Sequence, residues 1–111
     1  MSERTLFAAQ RLSALLLGPL VLVHLALILY AVQDGLTASE ILSRTRGSAG
    51  WAFFYGLFVL AAAVHAPIGL RNVLAEWTPL PPRAAGILAA LFAALLLVLG
   101  ARAVLAVVVP A

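Results

Sequence analysis

His24 and His65 are the only imidazoles in the chain, and each lies deep inside a long uncharged run. An ionisable side chain in hydrocarbon is costly, and it persists where it pairs, ligates a metal or moves a proton. The alternative for each is an interhelical hydrogen bond. There is no cysteine, which removes disulfides, thiolate zinc sites, iron–sulfur clusters and thioether-attached haem together.

At about 100° per residue, Gly69, Asn72 and Glu76 follow His65 on one helix face. A flat iron macrocycle needs such a stripe: an imidazole for the metal, then glycine so that the ring can approach the backbone. Arg71 lies near the end of the same segment, placed to pair with acidic substituents of such a ring. Pro67 frees the carbonyl of Ala63 and bends the helix. The alternative is a small-residue helix contact at Gly69 with a snorkelling Arg71.

The elements that must carry these residues follow from composition. Of 111 residues, 65% are hydrophobic and 10% charged, with a mean hydropathy of +1.14, far from the roughly 45–50% and 25% of soluble domains. The composition predicts an all-α membrane protein in one domain, residues 1–111, with any soluble chemistry on another subunit. Charges delimit the spans: 22 uncharged residues separate Arg11 from Asp34, 24 separate Arg46 from Arg71, and 18 separate Arg83 from Arg102. Each suffices for the roughly 20 residues of a transmembrane helix, and the spans are placed near 12–32, 51–71 and 84–108. The first apolar run exceeds a signal-peptide core and is read as a span. The net charge of +3 comes from seven scattered arginines against four acids, which argues against nucleic acid.

In the first loop, Thr37-Ala-Ser-Glu40 is a capping box and Gly47 a stop, predicting a short surface helix. Thr78-Pro-Leu-Pro-Pro82 is a turn that folds the second and third spans into an antiparallel hairpin. The third span has no polar group before Arg102 and is a packing helix. With the N-terminus inside, four arginines face the cytoplasm and three face out, so the positive-inside rule leans toward that orientation by one residue. Tyr30, the cluster Trp51, Phe53, Phe54 and Tyr55, and Trp77 have the places of interfacial aromatic belts.

His65-Ala-Pro-Ile-Gly69-Leu-Arg71, with Glu76 five residues on, resembles the H-x-x-x-G-x-R…(D/E) segment in the second helix of the cytochrome b membrane anchors of succinate dehydrogenase and fumarate reductase. Gln10-Arg11-Leu12-Ser13-Ala14, then Gly18 and His24, resembles the first helix of the two-haem anchors. Phe7 and Ala14 stand where the family has serine and glycine. The resemblance implies His65 and His24 as axial ligands of haem b, one or two haems per anchor, and a haem pocket at Gly69, Arg71 and Asn72. It implies a quinone contact at Arg11 and Ser13. By the same resemblance the chain is an electron-transfer subunit that does not act on succinate itself. It would dock a flavoprotein and an iron–sulfur subunit on a bacterial cytoplasmic membrane.

Depth adds a constraint. His24 lies about 18 Å along its span from the inner end and His65 about 9 Å along its own, so the two are poorly placed to grip one iron. Each then needs an imidazole from a second anchor chain, a second copy or a different subunit, giving a bundle of about six helices. Two other classes remain: the cytochrome b anchor of another quinone-linked dehydrogenase, and a small cofactor-free transporter. The first favours longer four- or five-helix layouts, and the second an acidic residue in the first helix, where none lies between Arg11 and Asp34.

Overall fold

The computed structural model describes residues 2–110. It has four helices: α1 (Glu3–Asp34), α2 (Ala38–Thr45), α3 (Ala49–Trp77) and α4 (Pro82–Val108). The three long helices are each long and apolar enough to cross a bilayer. The longest dimension, 47 Å, matches hydrocarbon plus headgroups, about 40–45 Å. The expected spans are present but extend further: α1 starts at Glu3 and α3 continues to Trp77. Charged residues at the ends of apolar runs stay helical because the backbone hydrogen bonds continue into the headgroup region, where water and lipid can solvate the side chains.

α3 is the middle helix, packed between α1 and α4. Its contacts use small residues: Ala61, Ala63 and Pro67 on α3, and Ala85 and Ala89 on α4, are all buried. Leucines and valines instead face outward along all three long helices. This inversion of a soluble core is what lipid requires, since tails are as apolar as leucine and close backbone approach supplies the attraction. α4 is thus the packing helix that its sequence predicts. At Gly100 it approaches α3 closely, for a Cβ there would run into the side chain of Val59.

The connections match their sequence signals. Pro81 and Pro82 start α4, Pro82 at the position where a missing N–H costs nothing. Thr37 and Glu40 form the reciprocal capping box of α2. Gly35 ends α1 at φ 140°, donating to the Ala31 carbonyl at 2.8 Å. A side chain there would meet the Glu40 carboxylate. The C-terminal end of α2 in turn caps α4: Thr45 Oγ1 donates to the Val107 carbonyl at 2.6 Å, and the Gly47 N–H (φ 76°) to that of Val108 at 2.7 Å. These are among the last four carbonyls of α4, which have no partner inside the helix.

Both long helices that carry a histidine also carry an internal proline. α1 continues through Pro19 and α3 through Pro67 without a break. Pro19 frees the Leu15 carbonyl as Pro67 frees that of Ala63.

Candidate functional site

α1 and α3 run antiparallel, and their register sets two levels. At the proximal level, nearer the start of α1, Ser13 is buried with its Oγ 3.3 Å from Nδ1 of His65. The same Oγ donates to the Gln10 carbonyl at 3.0 Å, one turn back. Gly69 faces Gln10: a Cβ built there would lie 3.5 Å from Nε2 of Gln10, an ordinary contact. Oε1 of Gln10 is buried without a partner. Beyond it, Arg71 forms an ion pair with Glu3 and donates to Asn72 Oδ1 at 3.3 Å. The stripe of His65 and Gly69 therefore faces α1 within the chain, and Arg71 reaches the start of that helix.

At the distal level, His24 is set among aromatic rings. Phe58 meets it edge to face at 5.4 Å and Tyr55 at 6.0 Å, with Trp51 and Phe54 packed beyond. Its Nδ1 is buried without a hydrogen-bond partner. A cavity of about 250 Å³ opens beside the ring, walled by Tyr55, Phe58, Thr45, Gly100 and Val104. α2 closes its end through Ile41 and Thr45.

The two levels are far apart. His24 is eleven residues past Ser13 on α1, and its partners Phe58 and Tyr55 are seven and ten residues before His65 on α3. At 1.5 Å per residue that is about 10–16 Å along the bundle. The separation exceeds the difference drawn from the span ends because both helices overrun those ends, by different amounts. Two axial ligands of one iron must face each other across one flat ring, which these two imidazoles do not.

Of the expected site residues, the structure brings Ser13 to His65, and Gly69 and Arg71 to the same interface; Asn72 is exposed beside Arg71. It does not bring Arg11 to Ser13. Two residues apart on a helix they point about 200° apart; Ser13 is buried, while Arg11 is exposed with its guanidinium 5.2 Å from the Phe7 ring. Sequence reasoning missed three neighbours: Gln10 at Gly69, Glu3 at Arg71, and the pair Tyr55 and Phe58 at His24. Periodicity held the signal for the last. Eleven residues from Ser13 to His24 make three turns of α1, and seven from His65 to Phe58 make two of α3, so all four share one interface.

Comparison with known families matches residues 2–106 to the succinate dehydrogenase/fumarate reductase transmembrane subunit. The chain belongs to that family. No curated relative and no solved structure matches it.

Proposed function

We propose, with membership of the succinate dehydrogenase/fumarate reductase transmembrane subunits as the premise, that the chain is the haem b-binding, quinone-reactive anchor of its complex. Membership makes it a multi-pass membrane anchor and implies association with flavoprotein and iron–sulfur subunits. The proposal adds haem b at His65 and His24, a quinone at Arg11, and a bacterial cytoplasmic membrane with the N-terminus inside. A second anchor chain, another copy or a different subunit, supplies the opposing imidazoles. Neither the anchor of another dehydrogenase nor a transporter needs to be carried further.

The residues present fit the cofactor. His65 has Nδ1 engaged by Ser13, which leaves Nε2 for a metal, the arrangement found around most metal-bound imidazoles. His24 has a buried nitrogen with no partner, a group that is costly unless something outside the described residues completes its surroundings. When bound, haem b supplies one-electron storage between the iron–sulfur donor and the quinone.

The chain's own residues then have separable tasks. Gly69 keeps the helix surface beside His65 flat. Arg71 and Asn72, near the end of the same segment, offer N–H donors to the propionates, with Glu3 as the carboxylate that Arg71 holds in this chain. Arg11, exposed near the start of α1, donates a charge-assisted hydrogen bond to a quinone carbonyl and holds that oxygen as negative charge builds on it.

The observation that carries the reading is the engaged His65 ring inside a chain of this family. The test is a reduced-minus-oxidised spectrum of the purified complex together with its quinone reductase activity. A b-type spectrum lost in histidine variants supports it. Full quinone reduction by a haem-free complex would leave anchoring as the chain's role.

A further inference from the structure

We propose that Ser13 is the positioning residue of His65, fixing its tautomer, and is not a quinone contact. The inference rests on the reading of His65 as a ligand, and it assigns Ser13 by geometry.

A serine hydroxyl has one proton and two lone pairs. In the structure the proton goes to the Gln10 carbonyl at 3.0 Å, the local back-bond that serine makes in helix interiors. What remains on Oγ is acceptor capacity, and Nδ1 of His65 lies 3.3 Å from it. With that proton committed to the Gln10 carbonyl, the hydrogen is assigned in this proposal to Nδ1, which then donates to Oγ. In the neutral ring Nε2 is then the lone-pair nitrogen, ready to bind iron. The opposite arrangement, with Ser13 donating to Nδ1, would place the hydrogen on Nε2 and block ligation.

Burial strengthens the constraint. Ser13 is one of two buried polar residues among those described, and His65 beside it is half-buried. In a low-dielectric interior, loss of such a partner is felt in full. The chain Gln10 carbonyl, Ser13 hydroxyl, His65 imidazole runs from the α1 backbone to the α3 side chain, so it also fixes the ring's rotation. Arg11 points to the opposite side of α1, which leaves Ser13 no shared pocket with it.

The test uses the full chain labelled with ¹⁵N-histidine in lipid bilayers. A His24→Gln variant leaves one labelled ring for assignment. His65 is expected to carry its hydrogen on Nδ1, the reverse of the preference of free imidazole. Ser13→Ala should abolish that bias, and Ser13→Thr, which keeps the hydroxyl, should restore it. A hydrogen on Nε2 in the unsubstituted chain overturns the proposal, even if Ser13→Ala fails to fold. In the assembled complex, Ser13→Ala should raise the reduction potential of the His65 haem alone, because a ring that no longer donates is a weaker electron donor to iron. The KM for quinone should stay unchanged; a raised KM with an unmoved potential returns Ser13 to the quinone and overturns the proposal. A complex without any b-type spectrum defeats the haem reading instead, and the ¹⁵N result on the chain still decides the hydrogen bond.

Discussion

The two histidine levels of this bundle have opposite surroundings. At the proximal level His65 meets a hydroxyl, with an amide, an arginine and a carboxylate further along the same interface. At the distal level His24 meets aromatic edges, and one of its nitrogens has no partner. The difference teaches where information about a bound group resides. A ring whose second nitrogen is engaged within its own chain has its tautomer and orientation set before anything binds. A ring held only by aromatic packing leaves its tautomer to whatever approaches. On the proposed function His65 is thus a ligand prepared in advance, and His24 one whose polar requirement must be met from outside the described residues.

The largest effect that could break this comparison comes from removing each ring. Alanine cannot ligate iron, so His65→Ala is expected to abolish one low-spin b-type signal and His24→Ala the other. The remaining signal should persist in each variant, read by redox-resolved optical and electron paramagnetic spectra. A single haem that disappears in both variants would mean one site built from both levels, against the roughly 10–16 Å between them. The His65 variant should slow quinone reduction more, since its level is nearer the end of the bundle where the donor subunit is proposed to dock.

Next in size is Arg11→Leu. A hydrogen bond to a charged group is worth about 1.5–3 kcal/mol, which corresponds to a roughly 10–150-fold loss of quinone reductase kcat/KM. Haem content and activity with an artificial acceptor should be retained, because Arg11 faces away from the His65 interface. Unchanged quinone reduction would make Arg11 a topological anchor, the role the positive-inside rule gives it. The substitution thereby separates the proximal level into an inner face that prepares the ligand and an outer face that meets substrate.

Much of this arrangement was legible in the sequence, and the reasons differ by element. Uncharged runs gave the three spans because length and hydropathy alone decide what crosses a bilayer. Thr37 with Glu40, and the prolines around Leu80, gave α2 and the tight turn because caps and turns are local chemistry. His65, Gly69 and Asn72 were legible as a stripe because helical periodicity is local too. What faces that stripe was not, since the pairing of Ser13 with His65 depends on the register of two helices, and register is set by packing over the whole interface. The aromatic residues at the start of α3 have the composition of an interfacial belt, yet Tyr55 points inward to His24 because the turn of α3 that carries it faces α1. Pro19 is plain in the sequence, but what its freed carbonyl does still depends on neighbours that no local pattern specifies.

The two glycines of the levels offer a smaller, stability-based test. Gly100 is at the distal level, where an added Cβ would press on the β-branched, stiff side chain of Val59. Gly100→Ala is expected to cost about 1–3 kcal/mol as overpacking, lowering the melting temperature of the purified complex, with recovery when Val59→Ala is added. Gly69→Ala should be close to neutral, because its Cβ would stand at ordinary distance, 3.5 Å, from the Gln10 amide. Gly69→Leu should lower occupancy at His65 while the His24 signal persists. If both glycines tolerate alanine equally, the close approach of α3 and α4 at the distal level is not a determinant of assembly.

The smallest expected effect concerns α2, which closes the distal level. Arg44 pairs with Asp34 at 2.5 Å, donates to the Gly35 carbonyl at 3.1 Å and lies 5.7 Å from the centre of the Tyr30 ring. The pair is partly exposed, and such ion pairs contribute about 0.2–1 kcal/mol, less in high salt. The more buried attachment of α2 is Thr45 Oγ1 on the Val107 carbonyl, and a neutral hydrogen bond of that kind contributes about 0.5–1.5 kcal/mol. Arg44→Gln should therefore shift the melting temperature slightly, with the shift vanishing as salt is raised, while Thr45→Val should give a larger shift that salt does not alter. Neither should move the His65 signal. If Arg44→Gln erased the His24 signal at any salt concentration, the Asp34–Arg44 pair would be what holds α2 against the His24 cavity, and the distal level would be as prepared as the proximal one; a shift confined to stability keeps the two levels distinct.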